Sequence, residues 1–178
     1  MRQAVVAQAG LVLPVSNLLA LDQASHTSGF SVFKDGELVI ASHFTFDDKD
    51  LGVRLEKIRN KIVELIKEYN ITDVIFEDIQ LQSHGDKEVG IKTFKILAEV
   101  FGVVYELLTE LKINFTTVPP IVWKSTIKIA GKGRAQEKKL AQQYVKNKYN
   151  IVCTEDEADA ICIGTHYLKK QASEFDWS

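Results

Sequence analysis

The spacing of apolar residues along the chain predicts alternating strands and helices. Short apolar runs at 18–22 and 73–77 are typical of buried strands, and two further runs flank Asp35-Gly36, a pair that favours a two-residue hairpin turn. From 51 to 69, apolar residues recur every three or four positions, which predicts an amphipathic helix. The chain should therefore open with antiparallel strand pairing, and a helix should cover one face of the sheet.

The second half of the chain continues this alternation. A long helix is predicted from about 88 to 111, and its apolar positions cover more of its circumference than one core requires. After a strand that ends at a Pro-Pro pair, the pattern predicts a short helix over 121–129, a glycine-containing loop and two more helices. Thr154 and Glu157 form a capping box that starts the last helix. This order of elements predicts an α/β fold with a mixed sheet and helices on its faces.

Length and composition favour one folded unit. With 178 residues, of which 46% are hydrophobic, the chain can bury one substantial core. We expect residues 18–178 to form a single domain and residues 1–17 to be an N-terminal extension. No apolar run approaches the roughly 18 residues that span a bilayer, and the two cysteines do not have the spacing of a disulfide framework. We therefore expect a soluble protein of a reducing compartment, with no membrane partner.

Acidic residues lie at the ends of three predicted apolar elements. Asp22 follows the first strand, Glu77 ends the strand at 73–77, and Asp156 and Asp159 lie at the start of the last helix. Burying a carboxylate costs free energy unless positive charge compensates it. The position of these acids at the ends of apolar elements therefore indicates that their side chains converge on divalent cations. Acids without histidine or cysteine partners suit Mg²⁺ better than zinc. The pattern therefore predicts a metal-dependent phosphodiester nuclease.

The last helix offers two pairs of acids. Residues three or four apart share a helix face, so Asp159 can act with Asp156 or with Glu155. Acids in a first helical turn are also stabilised by the helix dipole alone, and a single aspartate after a strand often starts a turn. The metal hypothesis therefore depends on the acids as a set.

Basic residues are concentrated in one segment, although the formal net charge is −2. Between residues 124 and 148 the chain has eight basic residues and one acidic residue. Such a segment can hold phosphates electrostatically, and it is also typical of a solvated helix face.

Four segments, in order, resemble the RuvC family of Holliday junction resolvases, which belongs to the ribonuclease H-like superfamily. They are LALDQASHTSGFSVF, VIFEDIQ, WKSTIKIAGKGRAQEK and EDEADAICIG, and they extend from about residue 18 to about residue 168. The resemblance implies a ribonuclease H-like mixed five-stranded sheet, in which an antiparallel hairpin joins parallel strands and helices cover both faces. It implies a metal-dependent endodeoxyribonuclease. The loose motif agreement favours a divergent, phage-type member in the cytoplasm of a bacterium or a phage-infected host.

The resemblance also assigns residues to roles. Asp22, Glu77, Asp156 and Asp159 match the family's acidic metal-binding positions, and Lys124 matches a basic DNA-contacting position. We expect these four acids and Lys124 to be the catalytic residues. The implied cofactor is a pair of Mg²⁺ ions in each active site, for which Mn²⁺ can substitute. The positions expected to contact DNA are Lys124, Lys128, Lys132 and Arg134.

The resemblance implies a homodimer that nicks opposing strands of a four-way junction, with forks as further branched substrates. The broad apolar helix near 88–111 is the expected dimer interface. Gln80 stands where bacterial family members commonly have an aromatic residue, a departure that bears on junction opening. The alternative hypotheses are a metal-dependent nuclease without junction preference and a nucleic-acid-binding module without catalysis.

Overall fold

A computed structural model of the chain describes residues 4–6, 12–14, 16–80 and 87–175, with side chains described at 16–80 and 90–174. Two short strands, β1 (Ala4–Val6) and β2 (Val12–Pro14), pair with each other in antiparallel orientation, outside the main sheet. The pattern of apolar residues did not predict this pair.

The main sheet has five strands in the order β5-β4-β3-β6-β7. Strands β3, β4 and β5 are antiparallel neighbours, whereas β6 and β7 continue the sheet in parallel with β3. The strands are β3 (Asn17–Asp22), β4 (Thr27–Lys34), β5 (Glu37–Thr45), β6 (Asp73–Glu77) and β7 (Asn114–Val118). The predicted mixed sheet is confirmed, and its first strand starts one residue earlier than expected, at Asn17.

The helices follow the predicted order along the chain. They are α1 (Leu51–Glu68), α2 (Lys87–Glu110), α3 (Pro120–Thr126), α4 (Arg134–Tyr149) and α5 (Glu155–Phe175). The short helix α3 ends earlier than the predicted 129, because Lys128 has a left-handed backbone with φ of 63°. None of the described helices is long and apolar enough to cross a lipid bilayer.

Alternation of side chains along the strands divides the core into two layers. Leu19 and Leu21 of β3 pack with residues of α1 and α2, whereas Leu18 and Ala20 pack with residues of α3, α4 and α5. The mixed sheet is therefore covered on both faces, as expected for an α/β fold. The division of the chain into an extension and one domain stays a prediction.

Candidate metal centre

Two parallel strands bring Asp22 and Glu77 to the same face of the sheet. Asp22 is the last residue of β3, Glu77 is the last residue of β6, and the two strands pair side by side. Because side chains alternate along a strand, Asp22 shares a face with Ala20, and Glu77 shares a face with Ile75. Ala20 and Ile75 both belong to the core layer of α3, α4 and α5. The two carboxylates therefore lie on the side of the sheet that these helices cover.

Gln23 joins the two strand ends beyond the last paired residues. Its amide nitrogen donates to the Glu77 carbonyl at 2.5 Å, and its amide oxygen accepts from the Glu77 N–H at 3.2 Å. Both bonds involve the backbone of Glu77, so they hold the ends of β3 and β6 together whatever charge the carboxylates carry.

The first turns of α5 lie directly against β4, which brings the acids of this helix to the strand ends. Gly29 pairs with Asp22 across the hairpin, and a Cβ at this glycine would be 2.0 Å from the Asp156 carbonyl oxygen. Further along β4, Ser31 Oγ donates to the Ala160 carbonyl at 2.9 Å. A glycine and a small hydroxyl residue thus permit the close approach of helix and sheet.

Burial and like charge raise the pKa of three carboxyl groups in this pocket. Burial raises the pKa of Asp22 well above its ordinary value, and the charges of Glu77 and Asp159 raise it further. Burial also raises the pKa of Glu77 and that of Asp159, which is only 6% exposed. The structure thus brings these three acids into one electrostatic environment, where the surrounding positive charge does not fully compensate their burial.

The ammonium group of Lys138, on α4, lies among these acids. Its Nζ donates a hydrogen bond to Asp159 Oδ2. Burial acts to lower the pKa of Lys138, but the charges of Asp159, Asp22 and Asp156 outweigh this effect and raise it. Lys138 is therefore the principal positive charge that the fold places against Asp22 and Asp159, whereas Lys124 acts more strongly on Glu77.

The basic segment does not by itself distinguish Lys138 from its other lysines, so the role of Lys138 was not predicted. The signal that could have found it is helical spacing. Lys138 lies three and seven residues before Ala141 and Val145, the two buried residues of α4, so it projects from the buried face of the helix. Its neighbour Lys139 is exposed.

Helix α3 contributes two further contacts to the pocket. The indole Nε1 of Trp123, a fully buried residue, donates to Glu77 Oε2 at 2.7 Å. Lys124 Nζ donates to Glu137 Oε2 at 2.9 Å, and its charge also acts on Glu77 and Asp159. The predicted Lys124 thus lies near the acids, whereas the role of Trp123 was missed because nothing local in the sequence links it to Glu77.

The structure also separates the two acids between which helical spacing could not decide. Asp156 is half-buried, and its charge acts on Asp22 and Asp159. Glu155 is exposed. The geometry therefore favours Asp156 as the partner of Asp159. The other residues predicted to contact DNA are all exposed near the start of α4: Lys128, Lys132 and Arg134.

The pocket has the donor chemistry of a Mg²⁺ centre, although its carboxylates do not converge on one ion position in this structure. Carboxylate oxygens are the ligands that this hard cation prefers. Among residues 16–80 and 90–174, no three acidic, histidine or cysteine side chains are grouped closely enough to hold one ion as they stand. The negative charges of the acids repel one another, and Lys138 is paired with Asp159. The acids can therefore approach to ligand distance only when a cation compensates their negative charge.

The chain is similar in sequence to curated crossover junction endodeoxyribonucleases, although no protein-family model matches it. RuvC of Citrifermentans bemidjiense is 28% identical over 153 residues, which cover 82% of this chain and 88% of the relative. RuvC of Geobacter sp. strain M21 matches with the same identity and coverage.

Solved structures show the same fold. T. thermophilus RuvC, in complex with a Holliday junction substrate, matches with a TM-score of 0.66 at 12% identity, covering 84% of this chain and 91% of that one. The yeast mitochondrial Holliday junction resolvase Ydc2 matches with a TM-score of 0.60 at 15% identity, covering 90% and 80% of the two chains.

The mixed five-stranded sheet, with acids at the ends of the adjacent parallel strands β3 and β6, has a ribonuclease H-like fold. In sequence the chain is similar to RuvC, as the four ordered sequence segments predicted. The predictions of fold and of family resemblance are both confirmed. The roles of individual residues as metal ligands or DNA contacts stay predictions.

Proposed function

We propose that this chain is a Mg²⁺-dependent, structure-selective endodeoxyribonuclease that resolves Holliday junctions by two-metal phosphodiester hydrolysis. The observation that carries the proposal is the convergence of Asp22, Glu77 and Asp159 in one buried pocket. Ionisable groups whose pKa values are strongly shifted by burial and by each other cluster at functional sites. The similarity to RuvC over 82% of the chain supports the same reaction class.

Four acids would hold the metal: Asp22, Glu77, Asp156 and Asp159. Two hard cations held by these acids would supply activation of the attacking water and stabilisation of the leaving oxygen, and Mn²⁺ would replace Mg²⁺ in this role. The protein holds Glu77 in place beforehand, through the Gln23 amide on its backbone and the Trp123 indole on its carboxylate. Such preorganisation reduces the rearrangement that metal binding requires.

Two lysines serve the reaction from α3 and α4. Lys138 compensates Asp159 in the protein alone, and its ammonium group becomes available to a phosphate oxygen once a cation compensates that carboxylate. Lys124 is held by Glu137 and lies close enough to act electrostatically on Glu77. Both side chains therefore place positive charge where the scissile phosphate would approach.

The DNA-binding surface extends from the pocket over the start of α4. Glu137 Oε1 accepts a hydrogen bond from the Gly131 N–H at 3.0 Å, which connects the loop before α4 to Lys124. Lys132 and Arg134 in this region are exposed and available to phosphates. Branched DNA in the cytoplasm of a bacterium or a phage-infected host is the proposed substrate.

Helix α2 supports dimerisation. Val104 and Leu107 are buried in the core, but Ile91 is 58% exposed and Tyr105 is 48% exposed on the same helix. An apolar surface that one core leaves uncovered is suited to a second subunit. Tyr105→Glu should convert a dimer to a monomer in sedimentation experiments, and an unchanged mass for this variant would exclude α2 as the interface.

A second candidate function is a metal-dependent nuclease without junction preference. The observation that favours it is Gln80, an exposed polar side chain shortly after β6, where the RuvC family commonly has an aromatic residue. An amide is a weaker wedge between stacked bases than an aromatic ring.

A nicking assay on three DNAs separates these functions. The purified protein is incubated with a mobile four-way junction, a replication fork and a linear duplex of matched sequence, with Mg²⁺ or with EDTA. The proposal predicts paired nicks in opposing junction strands, only with Mg²⁺. Equal cleavage of the linear duplex would support the second candidate, and junction binding without any cleavage would indicate a binding module.

A further inference from the structure

A hydrogen bond between two side chains attaches the start of α5 to β5, the edge strand of the sheet. Neither side chain is a proposed metal ligand. His43, on β5, pairs across the ladder with Gly29 of β4, the glycine against which α5 packs. Its Nδ1 lies 2.8 Å from Glu157 Oε1. A carboxylate only accepts, so the imidazole must donate from Nδ1.

Glu157 connects this histidine to the helix start. Its second oxygen, Oε2, accepts from the Thr154 N–H at 2.9 Å, and its own N–H donates to Thr154 Oγ1 at 3.3 Å. These two bonds form the capping box of α5. The capping box alone would only close the first turn of α5. The hydrogen bond from His43 joins that turn to the sheet.

The acids of the metal site lie on either side of this contact. Asp156 immediately precedes Glu157, and Asp159 follows it by two residues. Asp22 ends the neighbouring strand β3, on the sheet to which His43 belongs. A displacement of the helix start relative to the sheet would therefore change the separation between the acids of α5 and Asp22.

We propose that His43 is a positioning residue of the metal centre, which holds the start of α5 against the sheet through its hydrogen bond to Glu157, so that the acids of α5 and the strand acids can close on a cation. The inference rests on the proposed function, because it assigns the acids to metal binding. The hydrogen bond of His43 goes to Glu157, which is not a proposed ligand, so His43 acts through the backbone that carries Asp156 and Asp159.

The test compares three variants with the wild-type chain. His43→Ala removes the donor, and His43→Asn restores one, because the asparagine amide nitrogen lies near the position of Nδ1. His26→Ala is the matched control, since His26 also lies beside a carboxylate, that of Asp47 at 3.7 Å, but in an exposed region. Mn²⁺ affinity is measured without DNA by electron paramagnetic resonance, and turnover is measured on the four-way junction.

The proposal predicts that His43→Ala weakens Mn²⁺ binding and lowers kcat about tenfold, the lower end of the effect of removing a group that orients a metal ligand. KM for the junction should be unchanged. His43→Asn should recover most of both losses, and His26→Ala should behave as wild type. Because the His43 side chain is 41% exposed, the alanine variant should fold, and circular dichroism checks this.

Glu157→Gln tests the contact from its other side, and it should weaken Mn²⁺ binding in the same direction. Unchanged Mn²⁺ affinity and kcat in His43→Ala would overturn the positioning role and leave the nuclease proposal intact. Weakened Mn²⁺ binding in a protein that cuts no DNA would uphold the positioning role and overturn the nuclease proposal. A wild-type chain that binds no Mn²⁺ would overturn both.

Discussion

Lys138 Nζ donates a hydrogen bond to Asp159 Oδ2, and this contact joins α4 to an acid of the pocket that is only 6% exposed. The side chains of the pair are 21% and 9% exposed, so water screens their attraction only weakly. The lysine therefore supplies part of the positive charge that a bound cation would bring to the pocket.

Replacing Lys138 should damage both stability and catalysis. Without metal, Lys138→Met leaves Asp159 buried without its partner, which should lower the free energy of unfolding by about 1 to 3 kcal/mol in urea titrations. Turnover on the junction should fall about 100-fold or more, the usual effect of removing a preorganised electrostatic contact. Lys139→Met, at the exposed neighbouring position, is the matched control. Equal effects of the two substitutions would contradict the assigned role.

Trp123→Phe tests whether the indole N–H orients Glu77. The substitution keeps an aromatic ring in a fully buried position but removes the donor to Glu77 Oε2. A metal ligand that loses such a partner typically binds metal about 10- to 100-fold more weakly. Calorimetric titration with Mn²⁺ should show this loss, and junction binding in EDTA should remain. Wild-type Mn²⁺ affinity would show that the indole contact is structural only.

Gly29→Ala tests the close approach of α5 to β4. The new Cβ would lie 2.0 Å from the Asp156 carbonyl oxygen, so the start of α5 must move away from the strand. We expect turnover to fall much more than junction binding, because the basic residues of α4 do not depend on this contact. Nicking rates and gel-shift affinities of the same preparation provide the comparison. Full activity would mean that the spacing of helix and strand does not matter for the site.

Much of this architecture follows from local sequence patterns. The hairpin turn was predicted from Asp35-Gly36, and both residues have positive φ, of 52° and 85°. The capping box at Thr154 and Glu157 is present as predicted. Strand alternation already placed Glu77 on the same side as Ile75. Such features depend on residues close together in the chain, where spacing determines geometry.

The supporting contacts of the site could not be derived in this way. Trp123 reaches Glu77 across 46 residues, and His43 reaches Glu157 across 114. Each contact depends on how whole elements pack, which periodicity does not encode. Lys138 is an intermediate case. Helical spacing could place it on the buried face of α4, but the sequence does not show which residues that face packs against.

In the metal-free protein, three carboxyl groups of the pocket should contribute more to stability as the pH falls below neutral. Burial, chiefly, raises the pKa values of Asp22, Glu77 and Asp159 in the folded chain. The folded state therefore binds protons more tightly than the unfolded chain, whose carboxyl groups titrate near about pH 4. For these groups, the free energy of unfolding should rise as the pH falls through the raised pKa values toward about pH 4.

Asp22→Asn isolates this contribution. Glu137 and Glu157 act in the opposite direction, since hydrogen bonds to them outweigh burial and lower their pKa values. Their effect is common to both proteins and cancels in the difference. Urea unfolding in EDTA should show that Asp22→Asn is more stable than wild type at neutral pH, and that the difference shrinks on acidification. A constant difference across the pH range would contradict the assignment of the shift to Asp22.

A crystal structure with Mn²⁺, using anomalous scattering to locate the ions, tests directly whether the three acids bind metal together. We predict density in contact with the carboxylates of Asp22, Glu77 and Asp159, with Lys138 displaced from Asp159 Oδ2. Anomalous density elsewhere on the protein, with the Lys138 contact intact and the three acids still apart, would contradict it.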